Sequence, residues 1–500
     1  MKTKRNTFKN LCLAAGSFLT AALLVAPTAS AQPWERAIGG AQQENTFDIK
    51  TSEQFGGAIQ IGGTWTYGAT FSPNPPNVYV SQITNNGNIA QGMVFEANGW
   101  DVDADVVEID DQIIWTTGVF NSLTGSFDIA VVSNAQDGAI NWTVWFGGFQ
   151  RDGATSIIAT EGGDVIVAGY VESNTFGGRD GFLASINNGG GVNWAFNYGS
   201  TGNDELWSVI ESIDGSGEIY AVGYSDGPGS SGGDDVWLLA VDSGGGIAYS
   251  NLYGGPANDR GFDLVMNDAV CDPDLALTLV GETWSFGGQR NDIFVIRTSP
   301  AAGSTPQWMF AYEIFTAGSW DVGYGITDAL NTNFSNVVIS GQTNSLAGAA
   351  VLGEGFAFEL GPNGGNPLWT RTYGGGQYET LRGLSTRSGG YFTVGQTLSY
   401  GAGGGDQYVL ALDAIGGTGT RFGTACATQQ FPNFVQVDVM TELETLQQDY
   451  QQIEGFDPVV SFEGDLTEIC TPGLAPPPPF ENPIQLERTY EQTPDNDGTK

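Results

Sequence analysis

The stretch "NWAFNYGSTGND" (193–204) repeats the order of "NWTVWFGGFQRD" (141–152): a Trp, an aromatic four residues on, a small-residue pair, then an acidic residue. Sliding the pattern along the chain places that acidic residue at Glu44, Asp101, Asp152, Asp204, Asp259, Asp321 and Glu379. The spacing stays between 51 and 62 residues. An aromatic or apolar residue precedes the small pair in every copy, at Ile38, Phe95, Phe146, Tyr198, Tyr253, Phe315 and Tyr373. A recurrence at such a period marks a repeat architecture.

Two further registers keep the same phase. A glycine ends an apolar run at Gly62, Gly118, Gly169, Gly223, Gly281, Gly341 and Gly395. An Asp opens another run at Asp128, Asp180, Asp235, Asp292 and Asp406, with Asn77 and Gly355 in the two weaker copies. Each repeat therefore holds four short apolar runs bounded by Gly, Asp or Asn. Repeated seven times, with 74 glycines and little helical periodicity, this predicts an all-β fold. The expected form is a seven-bladed β-propeller of four-stranded antiparallel blades. An open solenoid would need atypical capping repeats, and the end copies here are ordinary. The Trp34–Gly40 stretch is a fourth strand lacking its first three, and the last repeat stops after its third at Asp413. The N-terminal strand is expected to close the ring, with "TGTRFG" (418–423) as the rival.

The best copies, "DGFLASINNGGGVNWAFNYGSTGND" (180–204) and "LWTRTYGGGQYE" (368–379), resemble the bacterial secreted β-propeller repeat family (SBBP-type repeats) over roughly residues 34–415. That resemblance implies fold and export, and no particular activity or catalytic residue.

Outside the repeats, Lys2, Lys4, Arg5 and Lys9 precede an apolar run and a small-residue cleavage site, Ala29-Ser30-Ala31. Residues 1–31 read as a secretory signal, which predicts a secreted protein of the extracellular space, cell surface or periplasm. The expected organisation is a propeller over 32–425, an appendage over 426–474 and a Pro-rich flexible tail over 475–500. In the appendage, Met440, Leu443, Leu446, Tyr450 and Ile453 fall at helical spacing and predict one amphipathic helix. Cys426 and Cys470 are the preferred disulfide pair, leaving Cys271 over.

The formal net charge is −39, which speaks against nucleic acid and anionic lipid as partners. No second apolar stretch is long enough to span a bilayer. Asp101, Asp103 and Asp105 alternate along a strand and read as a solvated acidic edge, the alternative being a Ca²⁺ site. Residue types that vary between repeats direct attention to loops. There Trp65 and Trp284 occupy a column that elsewhere holds Leu398 or Asn344, and are the candidate ligand-binding residues. With no histidine and no covalent-catalysis signature, the expected function is a non-enzymatic binding or adhesion module for an extracellular glycan or protein. A self-associating structural subunit is one alternative, and a carboxylate-based polysaccharide hydrolase or lyase the other.

Overall fold

The structure, a computed structural model, describes residues 32–418 apart from short loop stretches, and beyond them only short strands as far as Cys470. Residues 1–31, expected to be a signal, the residues after Cys470, expected to be a flexible tail, and Trp65, Cys271 and Cys426 lie outside the described residues. Seven antiparallel sheets form seven blades. Their innermost strands are Glu44–Thr51, Trp100–Ile109, Asp152–Ala159, Asp204–Glu211, Asp259–Asn267, Asp321–Asp328 and Glu379–Arg387, for blades 1 to 7 in turn. Blade 7 takes its fourth strand from the N-terminus: Trp34–Ile38 pairs with Asp406–Asp413, Trp34 lying opposite Ala411. The rival segment instead forms a two-stranded hairpin, Thr420–Arg421 with Thr424–Ala425.

A hydrophobic cluster fills each of the seven interfaces between neighbouring blades; Phe95 and Trp115, with ring centroids 4.7 Å apart, illustrate the one between blades 1 and 2. The recurrent Trp carries a second tie. Trp34, Trp142, Trp194 and Trp308 donate their indole N–H to the carbonyls of Asn85, Asn188, Ser243 and Pro362, in a turn of the next blade, at 2.8–3.0 Å. A residue that buries apolar area while its polar tip finds an acceptor suits each such joint.

The acidic residue that opens an innermost strand staples two loops in blades 3, 5 and 7. Asp152 accepts the backbone N–H of Gly148 (3.0 Å), Glu172 (2.9 Å) and Ser173 (3.1 Å). Glu379 does the same for Gly375 and Ser399, both at 3.0 Å. The recurrent glycine answers to a bulge. In blades 1 and 3–7 the register of the innermost strand slips by one residue opposite it, as between Leu206 and Ser208. A Cβ on Gly223 would lie 1.7 Å from the Glu205 carbonyl oxygen, so no side chain fits there.

The C-terminal segment departs from expectation. Within and around the stretch expected to be helical, Thr441–Glu442, Leu446–Asp449 and Gln452–Ile453 are strands, joined by Val435–Gln436, Val459–Phe462 and Leu466–Cys470. In chain order they pair antiparallel with the outer edges of blades 5, 4, 3, 2, 1 and 7. The helix expectation is therefore corrected to a girdle of edge strands. The physical reason is that each outer edge presents unpaired N–H and C=O groups to an extended chain, whereas one short helix gains little alone.

Candidate functional site in the central channel

A bulge turns two consecutive residues toward the same side of a strand. Here it sends the fourth and fifth residues of the innermost strands into the central channel, a cavity of about 290 Å³ lined from all seven blades. Counted from the recurrent acidic residue, the fifth position reads Asp48, Asp105, Ser156, Ser208, Asp263, Gly325 and Gly383 around the ring, all but Gly325 lining the cavity. The fourth reads Phe47, Ala104, Thr155, Trp207, Phe262, Tyr324 and Arg382. One polar ring thus lies beneath an aromatic one, the aromatic ring being nearer the face where the innermost strands begin.

The polar ring is held from blade to blade. Asp105 accepts the Val106 N–H at 2.6 Å, the Ile157 N–H at 2.9 Å and the Ser156 hydroxyl at 3.0 Å. Asp263 accepts the Ser208 hydroxyl at 2.7 Å and the backbone N–H groups of Leu264 and Ile326, each at 2.9 Å. Lys50, also in the channel wall, sets its Nζ 2.5 Å from Asp48 Oδ2 and 3.6 Å from Asp105 Oδ1.

These surroundings pull two hydrogen-bonded carboxyl groups apart in acidity. Burial, then repulsion from Asp105, pushes Asp48 well above the usual carboxylate range, against the opposing pull of Lys50. Burial also acts to raise Asp105, but Lys50, the hydrogen bond from Asp48 and the two backbone N–H groups outweigh it and hold Asp105 low. Asp48 therefore holds a proton more readily than Asp105, the two titrating as a coupled pair beside Lys50. Asp263, across the ring, is raised mainly by burial.

Above the carboxylates, Trp207, Phe262 and Tyr324 form an edge-to-face and tilted series with centroids 5.0 and 5.6 Å apart. The Arg382 guanidinium closes the arc, 5.0 Å from the Tyr324 ring and 5.5 Å from the Phe47 ring, with Asp103 at 3.3 Å.

Of the residues expected from sequence, Asp105 is in the polar ring and Asp103 pairs with Arg382. The side chain of Asp101 is outside the described residues. Among the described residues no group of three or more His, Cys, Asp or Glu could hold a metal ion, and no helix is long and apolar enough to cross a membrane. Trp284 stands 53 % exposed in its loop, far in sequence from the channel strands of blades 1, 2 and 7. Cys470 ends the last girdle strand, opposite Glu35, while its expected partner Cys426 is not described. Asp48, Asp263, Lys50 and Arg382 were missed. The available signal was the fifth-position column itself, which varies between Asp, Ser and Gly while the strand-opening position stays acidic.

No protein-family model and no curated protein sequence matches the chain. Among solved structures it is similar to the Bombyx mori GH32 β-fructofuranosidase, at 8 % identity and a TM-score of 0.28, over 90 % of this chain and 98 % of that one. It is also similar to a GH43_12 protein retrieved from capybara gut metagenome, at 7 % identity and a TM-score of 0.24, over 90 % and 92 % of the two chains. The expectation of a non-enzymatic binding or adhesion module is corrected here. The channel brings together the carboxyl groups of Asp48, Asp105 and Asp263, whereas that expectation rested on finding no catalytic constellation in the sequence.

Proposed function

We propose that the chain is a carboxylate-based glycoside hydrolase whose chemistry takes place in the central channel. The observation that carries this reading is the Asp48–Asp105 pair in the channel wall, two carboxyl groups pulled apart in acidity, with an arc of aromatic side chains facing them across the ring. Aromatic faces stack on sugar rings, and a carboxylic acid kept neutral can donate to a leaving group.

In this reading Asp48 passes its proton to the glycosidic oxygen as the bond to the anomeric carbon breaks. The ionised Asp105 supports the positive charge that develops at that carbon. A water molecule supplies the new oxygen and gives its proton to Asp263, whose raised affinity for protons suits a base working nearer neutral pH. Lys50 is a positioning residue that keeps Asp105 ionised.

The test is turnover of a panel of neutral oligosaccharides, followed for the wild type and for Asp48→Asn, Asp105→Asn and Asp263→Asn. Each substitution is expected to lower kcat by about 10²–10⁴-fold while the folded state persists by circular dichroism. Wild-type activity is expected to fall on the alkaline side as Asp48 loses its proton. A wild type that turns over none of the panel, or variants as active as it, overturns the reading.

A further inference from the structure

A second cavity, of about 550 Å³, opens on the face where the innermost strands begin, across blades 3, 4 and 5. Its lining is almost wholly polar, with Gln150, Glu172, Arg179, Asn203, Asp234 and Arg260 prominent in it. Both guanidinium groups are fixed. Arg179 lies 4.0 Å over the Tyr170 ring and bridges Glu172 (2.8 Å) and Glu205 (2.6 Å). Arg260 lies 5.0 Å over the Tyr224 ring, with Asp234 at 2.5 Å and Glu282 at 3.8 Å. Tyr224 donates its hydroxyl to Glu205 at 2.6 Å, which ties the two arginine stations together.

Two large side chains stand in water beside this floor. Phe149, 86 % exposed, immediately precedes Gln150 in the wall. Trp284, 53 % exposed, hydrogen-bonds Glu282, the partner of Arg260 at the other end. Singly, exposed aromatic residues need no explanation, but a pair bracketing a polar groove of this size does.

We propose that this groove binds a stretch of neutral oligosaccharide distal to the channel. The inference rests on the glycoside-hydrolase reading of the channel. The chemistry selects the ligand. A dense set of pre-oriented donors and acceptors matches hydroxyl groups, and the flanking rings match the apolar faces of pyranose or furanose units. Each guanidinium is already balanced by two carboxylates, so an anionic chain meets net negative charge and is rejected. A peptide's apolar side chains find little here to bury against.

The experiment is equilibrium titration of the full chain carrying Asp48→Asn with cello-, xylo-, manno- and fructo-hexasaccharides, and with a galacturonate hexamer as the anionic probe. At least one neutral hexamer is expected to bind. Trp284→Ala and Phe149→Ala are each expected to weaken that binding about five- to tenfold, without a change in melting temperature. Tighter binding of the galacturonate, or neutral binding indifferent to both variants, overturns the groove. Hydrolysis is read separately on the chain with Asp48 intact. A groove that binds beside an inactive channel, and an active channel beside a groove that does not bind, are therefore told apart.

Discussion

Asp259 and Asp263 lie four residues apart on one strand, both carboxylates, the first buried and the second half-buried, and they belong to different parts of the molecule. Asp259 opens the strand, accepts the Gly255 N–H at 2.7 Å and the Ser285 hydroxyl at 2.6 Å, and recurs as an acidic residue in every blade. Asp263 lies past the bulge, faces the channel, and has counterparts that are Ser or Gly in four blades. A residue repeated around the ring holds the ring. A residue that varies at the same ring position gives the channel its one-sided chemistry.

The comparison can be broken at several points, beginning with the bulge that separates the two positions. Gly223→Ala drives a methyl group into the Glu205 carbonyl. It is expected to cost about 3 kcal/mol or more, or to prevent folding, read by chemical denaturation. Removing a staple comes next: Asp152→Ala strands the backbone N–H groups of Gly148 and Ser173, while that of Glu172 keeps the Arg151 carbonyl at 3.1 Å, and it is expected to cost about 2–3 kcal/mol. Asp263→Asn keeps the shape of its side chain, and its expected stability cost is smaller, below about 1.5 kcal/mol, with its main effect on turnover. Equal stability losses for Asp152→Ala and Asp263→Asn would erase the distinction between staple and channel.

A pH series sharpens it further. Burial pushes Asp180 and Asp235 up to about 6 and Glu35 up to about 7, from ordinary values near 4. Between about pH 4 and 7 the folded chain thus holds protons that the unfolded chain has released, so stability rises as the pH falls through that window. The melting temperature is expected to be several degrees higher at pH 5 than at pH 8. A lower value at pH 5 would mean that carboxylates held low in the folded state, as Asp105 is, dominate instead. The smallest effect belongs to a blade joint: Trp142→Phe keeps the ring and loses the bond to Asn188, at a cost of about 1 kcal/mol.

The repeat made the architecture legible, because a four-strand unit that recurs seven times with its turn residues in phase has few ways to bury its apolar faces. The strand-opening acid, the recurrent glycine and the recurrent Trp all proved to be parts of joints. The channel was harder to read because a strand pattern of period two assigns alternate residues to alternate faces, and the bulge breaks that rule. Asp103 and Asp105 were expected to share a face by alternation, yet one pairs with Arg382 near the mouth and the other is tied into the ring below. The appendage misled for a related reason. Helical spacing of apolar residues describes a segment alone, while open sheet edges beside it offered a ladder of backbone bonds.

The amino-acid sequence by itself determined the number of blades, their four-stranded make-up and the residues that join them, since local turn chemistry and apolar alternation repeat in the chain. Only the tertiary structure decided which residues meet. Asp48, Asp105 and Asp263 are separated by 57 and 158 positions, and closure of the ring puts them in one cavity, where burial and a shared lysine give each its own acidity.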